Sequence, residues 1–128
     1  MNIVIDRSKW RTGGNKKHQT GEGVTKLHNM FGFMCCLGFA CNQAGVPTYE
    51  IGECLYPRNI VGWSHSDKHL KALVDAGLLN SNREQTEFAD RAAGINDNET
   101  TTVQTKERKL TELCKKHGHT IEFVGEYK

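Results

Sequence analysis

A chain of 128 residues, 37% hydrophobic and 25% charged with a formal net charge of +2, is sized for a single domain around one core. Its longest apolar run, Met30 to Cys41, is too short to cross a membrane, and Asp6 and Arg7 interrupt the apolar start too early for a secretory signal. The charge is partitioned: net +4 over residues 1–26, −4 over 27–100 and +2 over 101–128. Such asymmetry fits either an anionic partner or ends that fold against the middle.

Asn2-Ile3-Val4-Ile5 is β-branched and predicts a first strand, followed by a helical turn that Asp6 can cap. Residues 12–23 hold Gly13, Gly14, Gly21 and Gly23 among polar neighbours without periodicity, which predicts a flexible loop. Val24 to His28 alternates apolar and polar, as a half-buried strand does. From Phe33, helical spacing puts Phe33, Cys36, Leu37, Ala40, Cys41 and Ala44 on one face, with Gly45 and Pro47 as the stop. Gly38 inside this nearly all-apolar helix predicts close approach of another backbone element.

Residues 46–66 are irregular, punctuated by Pro47, Gly52, Pro57 and Gly62, and rich in aromatic residues. Ser66 or Asp67 can cap a helix through Leu70, Leu73 and Val74, ended near Gly77; Arg83 to Ala92 reads as a further short helix with Phe88 and Ala92 inward. Gly94 to Thr102 is turn chemistry. Thr105 then caps a helix whose apolar face is Leu110, Leu113, Cys114 and His117, while Lys106, Lys109 and Lys116 face water. Gly118 ends it, and Thr120 to Val124 alternates as a final strand.

Five cysteines is an odd count, and Cys35 and Cys36 are neighbours that point about 100° apart on a helix. Without a signal sequence, reduced thiols in a cytoplasmic compartment are expected, several of them core filler.

The opening Ile3-Val4-Ile5-Asp6-Arg7-Ser8-Lys9-Trp10, the block Met34-Cys35-Cys36-Leu37-Gly38-Phe39, the Ile95-Asn96-Asp97 turn and the close from Glu107-Arg108 to Val124 together resemble a family of small phage and bacterial proteins. That family is marked by its Cys-Cys-Leu-Gly block and is functionally uncharacterised. The resemblance covers about half the chain and leaves out residues 46–92. It implies a phage-type accessory protein in the host cell cytoplasm, and supplies no reaction, cofactor or catalytic residue.

The residues suggest four chemistries. Cys35 lies near the start of the central helix, where unpaired N–H groups lower a thiol's pKa, and His18, His28 or His65 could serve as base, but no thiol-enzyme signature surrounds it. His65/His69 and Cys114/His117 have helical metal-ligand spacing without a second pair. Asp90, Asp97 and Glu99 are close in sequence but sit in turn chemistry, so they receive no acid/base role. The stretch Arg11 to His18 offers exposed N–H groups and positive charge without the spacing of a P-loop.

The expectations are these. The fold is α+β, a single domain over 1–128, with a small sheet from residues 2–6, 24–28 and 120–124 on helices near 33–44, 67–76 and 105–117. The function is non-enzymatic: a phage-type accessory or counter-defence protein that binds a host protein or sequesters an anionic, nucleotide-like molecule. The ligand-binding candidates are Trp10, Arg11, Lys16, Lys17, His18, Arg58 and Trp63. No catalytic residue, metal or cofactor is assigned, homo-oligomers are open, extended nucleic acid is disfavoured by the modest charge, and no membrane is expected. A thiol-dependent enzyme using Cys35 or Cys36, and a structural phage component, are the alternatives.

Overall fold

The computed structural model describes residues 1–13, 19–62 and 68–127. The two terminal strands, β1 (Asn2–Asp6) and β2 (Thr120–Val124), pair in parallel with Ile3 opposite Ile121 and Ile5 opposite Phe123. Everything between them is crossover. A 3-10 turn over Arg7–Lys9 follows β1, its start capped by the Asp6 carboxylate, which accepts from Ser8 N. Among the described residues six helices follow: α1 (Cys36–Gln43), α2 (Thr48–Ile51), α3 (Pro57–Gly62), α4 (Leu70–Asp75), α5 (Glu87–Asp97) and α6 (Val103–Lys116). An α+β domain with a small sheet of terminal strands is thus the observed architecture.

The expected third strand is absent. Val24–Lys26 form no ladder, and this stretch joins its neighbour through an isolated bridge between His28 and Gly52 and through bonds from Leu27 N–H to Cys54 O and from Glu53 N–H to His28 O. A two-stranded sheet leaves edges that need cover. On β1 the cover is a side chain: Val4 N–H donates to Gln43 Oε1 at 2.8 Å and Gln43 Nε2 donates to Val4 O at 2.6 Å, so the α1 glutamine stands in for a third strand.

Helix boundaries moved where caps decide them. Helix α1 starts at Cys36, three residues later than the apolar spacing suggested, because Cys35 is extended (φ −74, ψ 173). Helix α5 is capped by Thr86, whose hydroxyl accepts from Ala89 N–H, and runs from Glu87 through Gly94 to Asp97, so the expected helix of residues 83–92 is displaced and part of the expected turn is helical. Thr102, not Thr105, caps α6. The irregular segment 46–66 contains two short helices in its described part, and the expected Ser66 or Asp67 cap of α4 lies outside the described residues.

The core gathers Ile3, Ile5 and Trp10 from the N-terminal stretch, the inner faces of α1, α5 and α6, and Leu73, Leu78 and Leu79. Gly38 meets the expectation for it: a Cβ there would sit 1.9 Å from Leu27 O. Lys106 does not face water. It is fully buried, and its ammonium donates to Asn98 O at 2.5 Å, Thr101 O at 3.0 Å and Thr101 Oγ1 at 3.3 Å, locking the turn between α5 and α6. The charge partition is met within the fold by Lys26, which pairs with Glu53 of the acidic middle, while Arg7 grips Glu107 of α6 with two bonds (3.0 and 2.8 Å) and ties the two ends together. Among the described residues no helix is long and apolar enough to cross a membrane.

Candidate functional site

Of the residues singled out for anion binding, the structure describes Trp10, Arg11 and Arg58. Lys16, Lys17, His18 and Trp63 lie outside the described residues. Trp10 is fully buried, its ring centroid 5.3 Å from Phe123 and its indole N–H donated to Asn96 Oδ1 at 2.8 Å, so it is a core residue with no face to offer a ligand. Arg11 spends its guanidinium on loop carbonyls: Gly23 O at 2.7 Å, Thr20 O at 3.2 Å, and Thr12 O. It ties the mouth of the glycine-rich loop, where Thr12 N–H also donates to Thr20 O and Thr20 N–H to Thr12 Oγ1. Arg58 is exposed, its guanidinium carbon 5.0 Å from the Tyr56 ring centroid.

The cysteine block is packing. Cys35 does sit at the helix start, where the N–H groups of Gly38 and Leu37 favour a thiolate, but burial is the larger effect and pushes its pKa up to about 12. Burial also holds Cys36 and Cys41 well above the ordinary thiol value, and Cys36 Sγ lies 3.6 Å from Ala92 O. Cys35, which is not on the apolar face that helical spacing defines, is buried as well. Among the described residues no group of three or more His, Cys, Asp or Glu is arranged to hold a metal ion. His69 Nε2 instead contacts a Glu50 carboxylate oxygen, and Cys114 is buried with its pKa raised by burial to about 11.

Two asparagines organise the molecule. Asn96 on α5 is fully buried and uses every side-chain bond an amide has. Its Oδ1 accepts from Trp10 Nε1 (2.8 Å) and Cys36 N–H (3.0 Å); its Nδ2 donates to Arg11 O (3.1 Å) and Asp97 Oδ1 (2.9 Å). Its carbonyl also accepts from Gly13 N–H. One side chain therefore joins the N-terminal stretch, the start of α1 and the end of α5.

Asn29, also buried, does the same for the chain before α1. Its Nδ2 donates to Glu22 O (2.6 Å) and Val24 O (2.9 Å), and its Oδ1 accepts from Phe31 N–H (3.0 Å) and Phe33 N–H (3.1 Å). Those four bonds fold residues 22–33 into a loop and push three apolar side chains outward. Val24 is 61% exposed, Met30 82% and Phe31 56%. The segment bonded to this loop through Leu27, His28, Gly52 and Cys54 adds Tyr49 at 80% and Leu55 at 50%. Hollows flank the projecting side chains, one lined by Phe31, Phe33 and Glu22, another by Leu55, Cys54 and Asn59. Large apolar side chains concentrated on two neighbouring segments are what a docking face presents, while scattered ones are ordinary.

Sequence reasoning missed this face because Val24 to His28 mimicked strand alternation. The usable signal was Asn29 with glycines on both sides, at 21, 23 and 32.

No protein-family model matches the chain, and no curated protein and no solved structure resembles it at a significant level.

Proposed function

We propose that this chain is a non-enzymatic, phage-type accessory protein that works by binding a host protein through the face formed by residues 22–33 and 49–55. The observation that carries the reading is the Asn29 side chain, which holds Met30 and Phe31 out in solvent by four internal bonds. Apolar groups fixed in an exposed position cost less to bring into a complex than groups that must first be ordered. A partner suited to them has an apolar cleft with a polar rim, because Lys26, Glu53 and Glu22 border the face. The phage setting rests on the resemblance of the Cys-Cys-Leu-Gly block and the two ends. A thiol enzyme is disfavoured by the burial of Cys35 and Cys36.

The double variant Met30→Ser/Phe31→Ser tests this. It keeps the Asn29 bonds, so its melting temperature should stay within a few degrees of wild type while a host protein recovered with the wild-type chain is lost. Recovery of the same protein by the variant contradicts the reading. So does a wild-type chain that dimerises in sedimentation through a contact the variant lacks, since the face would then serve a second copy.

A further inference from the structure

A groove of about 440 Å³ lies between α5 and α6, and none of its lining residues belongs to the Asn29 face. Its apolar lining is Ile95 and Leu113, with Gly94 contributing no side chain; its charged lining includes Arg91, Lys109 and Lys116. The volume falls in the usual range for small-molecule sites. The balance of charge is positive. Glu112 also lines the groove, against the three cations Arg91, Lys109 and Lys116; Glu112 pairs with Arg108 at 3.4 Å and Arg91 with Glu87 at 2.8 Å, both exposed pairs of a kind that contributes little. Lys109 and Lys116 have no ion-pair partner among the described residues. One end of the groove is fixed in advance, because Asn98 and Thr101, which line it, are held by the buried Lys106 ammonium.

From this arrangement we infer that the α5/α6 groove binds a small organic anion of the nucleotide type, its uncharged ring system against Ile95 and Leu113 and its phosphate among Lys109, Lys116 and Arg91. An apolar floor alone would take any hydrophobic molecule, and three cations alone would take inorganic phosphate. The two together select a ligand that carries both parts. Gly94 supplies the opening: a Cβ there meets nothing within 4 Å, so the space above it belongs to the groove.

The position of Gly94 also gives a test that stability cannot confuse. Gly94→Leu adds a good helix former in open space, so it should leave the fold intact or raise the melting temperature while filling the groove. Titration of a panel of ribonucleotides and cyclic nucleotides, with the matching uncharged nucleosides and inorganic phosphate as controls, is followed by calorimetry and by thermal shift. At least one nucleotide should bind the wild-type chain and raise its melting temperature. Its nucleoside and phosphate alone should bind at least about tenfold more weakly, and Lys109→Glu and Lys116→Glu should each weaken the nucleotide about tenfold or more. Gly94→Leu should abolish binding. Silence of the wild-type chain across the panel overturns the inference, as does binding that survives Gly94→Leu or is matched by inorganic phosphate.

Discussion

Asn96→Leu is expected to cost on the order of 4 kcal/mol or more, a large fraction of the stability of a domain of this size. Leucine fills the same space but strands the Trp10 indole N–H, the Cys36 N–H and the Arg11 carbonyl, all of which bond this amide inside the protein. Each buried group without a partner costs about 1–3 kcal/mol, and the three lie in one network, so the losses compound. Asn96→Asp separates the contributions. It keeps the oxygen that serves Trp10 and Cys36, removes the donor to Arg11 O, and sets a second carboxyl beside Asp97. Burial and the neighbouring Asp97 should hold the new carboxyl's folded-state pKa above its unfolded value. The folded variant then binds the extra proton, so its deficit relative to wild type is smallest below the unfolded carboxyl pKa and grows as pH rises through the folded one. Urea unfolding at two pH values measures both effects. A leucine variant within 0.5 kcal/mol of wild type, on the order of an ordinary surface change, would remove Asn96 from the centre of the fold.

The second large effect is at Gly38. Its helical conformation would accept alanine, which is intrinsically favoured there by about 1 kcal/mol. The methyl group has nowhere to go, since it would lie 1.9 Å from Leu27 O and 2.8 Å from Leu27 C. Leu27 cannot retreat cheaply: its N–H bonds Cys54 O, and the preceding Lys26 O accepts from Cys35 N–H. Gly38→Ala should therefore destabilise by about 3 kcal/mol, at the upper end of overpacking costs. Thermal unfolding beside Gly94→Ala gives an internal control, because the same change in open space on α5 should be neutral or stabilising. Equal responses at the two glycines would refute the close approach.

The parts legible in the sequence were those set by strong local patterns. The β-branched opening, the apolar block after Met34 and the alternating close give the two strands and the core helix, and Gly38 announces its neighbour. What was not legible depends on which polar residues are buried. Phe88, Ala92 and Asn96 are four apart and share one face of α5, yet Gly94 and the run Asn96-Asp97-Asn98 carry turn chemistry, so the helix reads as ending four residues before its hub. Tertiary bonds from Trp10, Arg11 and Cys36 settle the matter, and those partners are 60 to 86 residues away. Lys106 misleads in the same way: its place on the helix looks like the water side until the carbonyls of Asn98 and Thr101 receive its charge. For the site, exposed basic residues near glycines suggested an anion loop. Arg11 and Trp10 prove to be structural because their polar atoms are already engaged, and the cations of the α5/α6 groove were hidden on a helix whose partner face was placed too short.

The block Met34 to Cys41 is packing and not chemistry, with Cys35, Cys36 and Cys41 all buried. Native-state alkylation with iodoacetamide, read residue by residue by mass spectrometry, tests that directly. Cys54, half-buried, should be the thiol that reacts in the folded protein, with Cys35, Cys36, Cys41 and Cys114 protected until unfolding. Alkylation of Cys35 or Cys36 in the folded chain faster than Cys54, with a thiolate that titrates below the ordinary value, would contradict the account and return the central helix to the list of reactive sites.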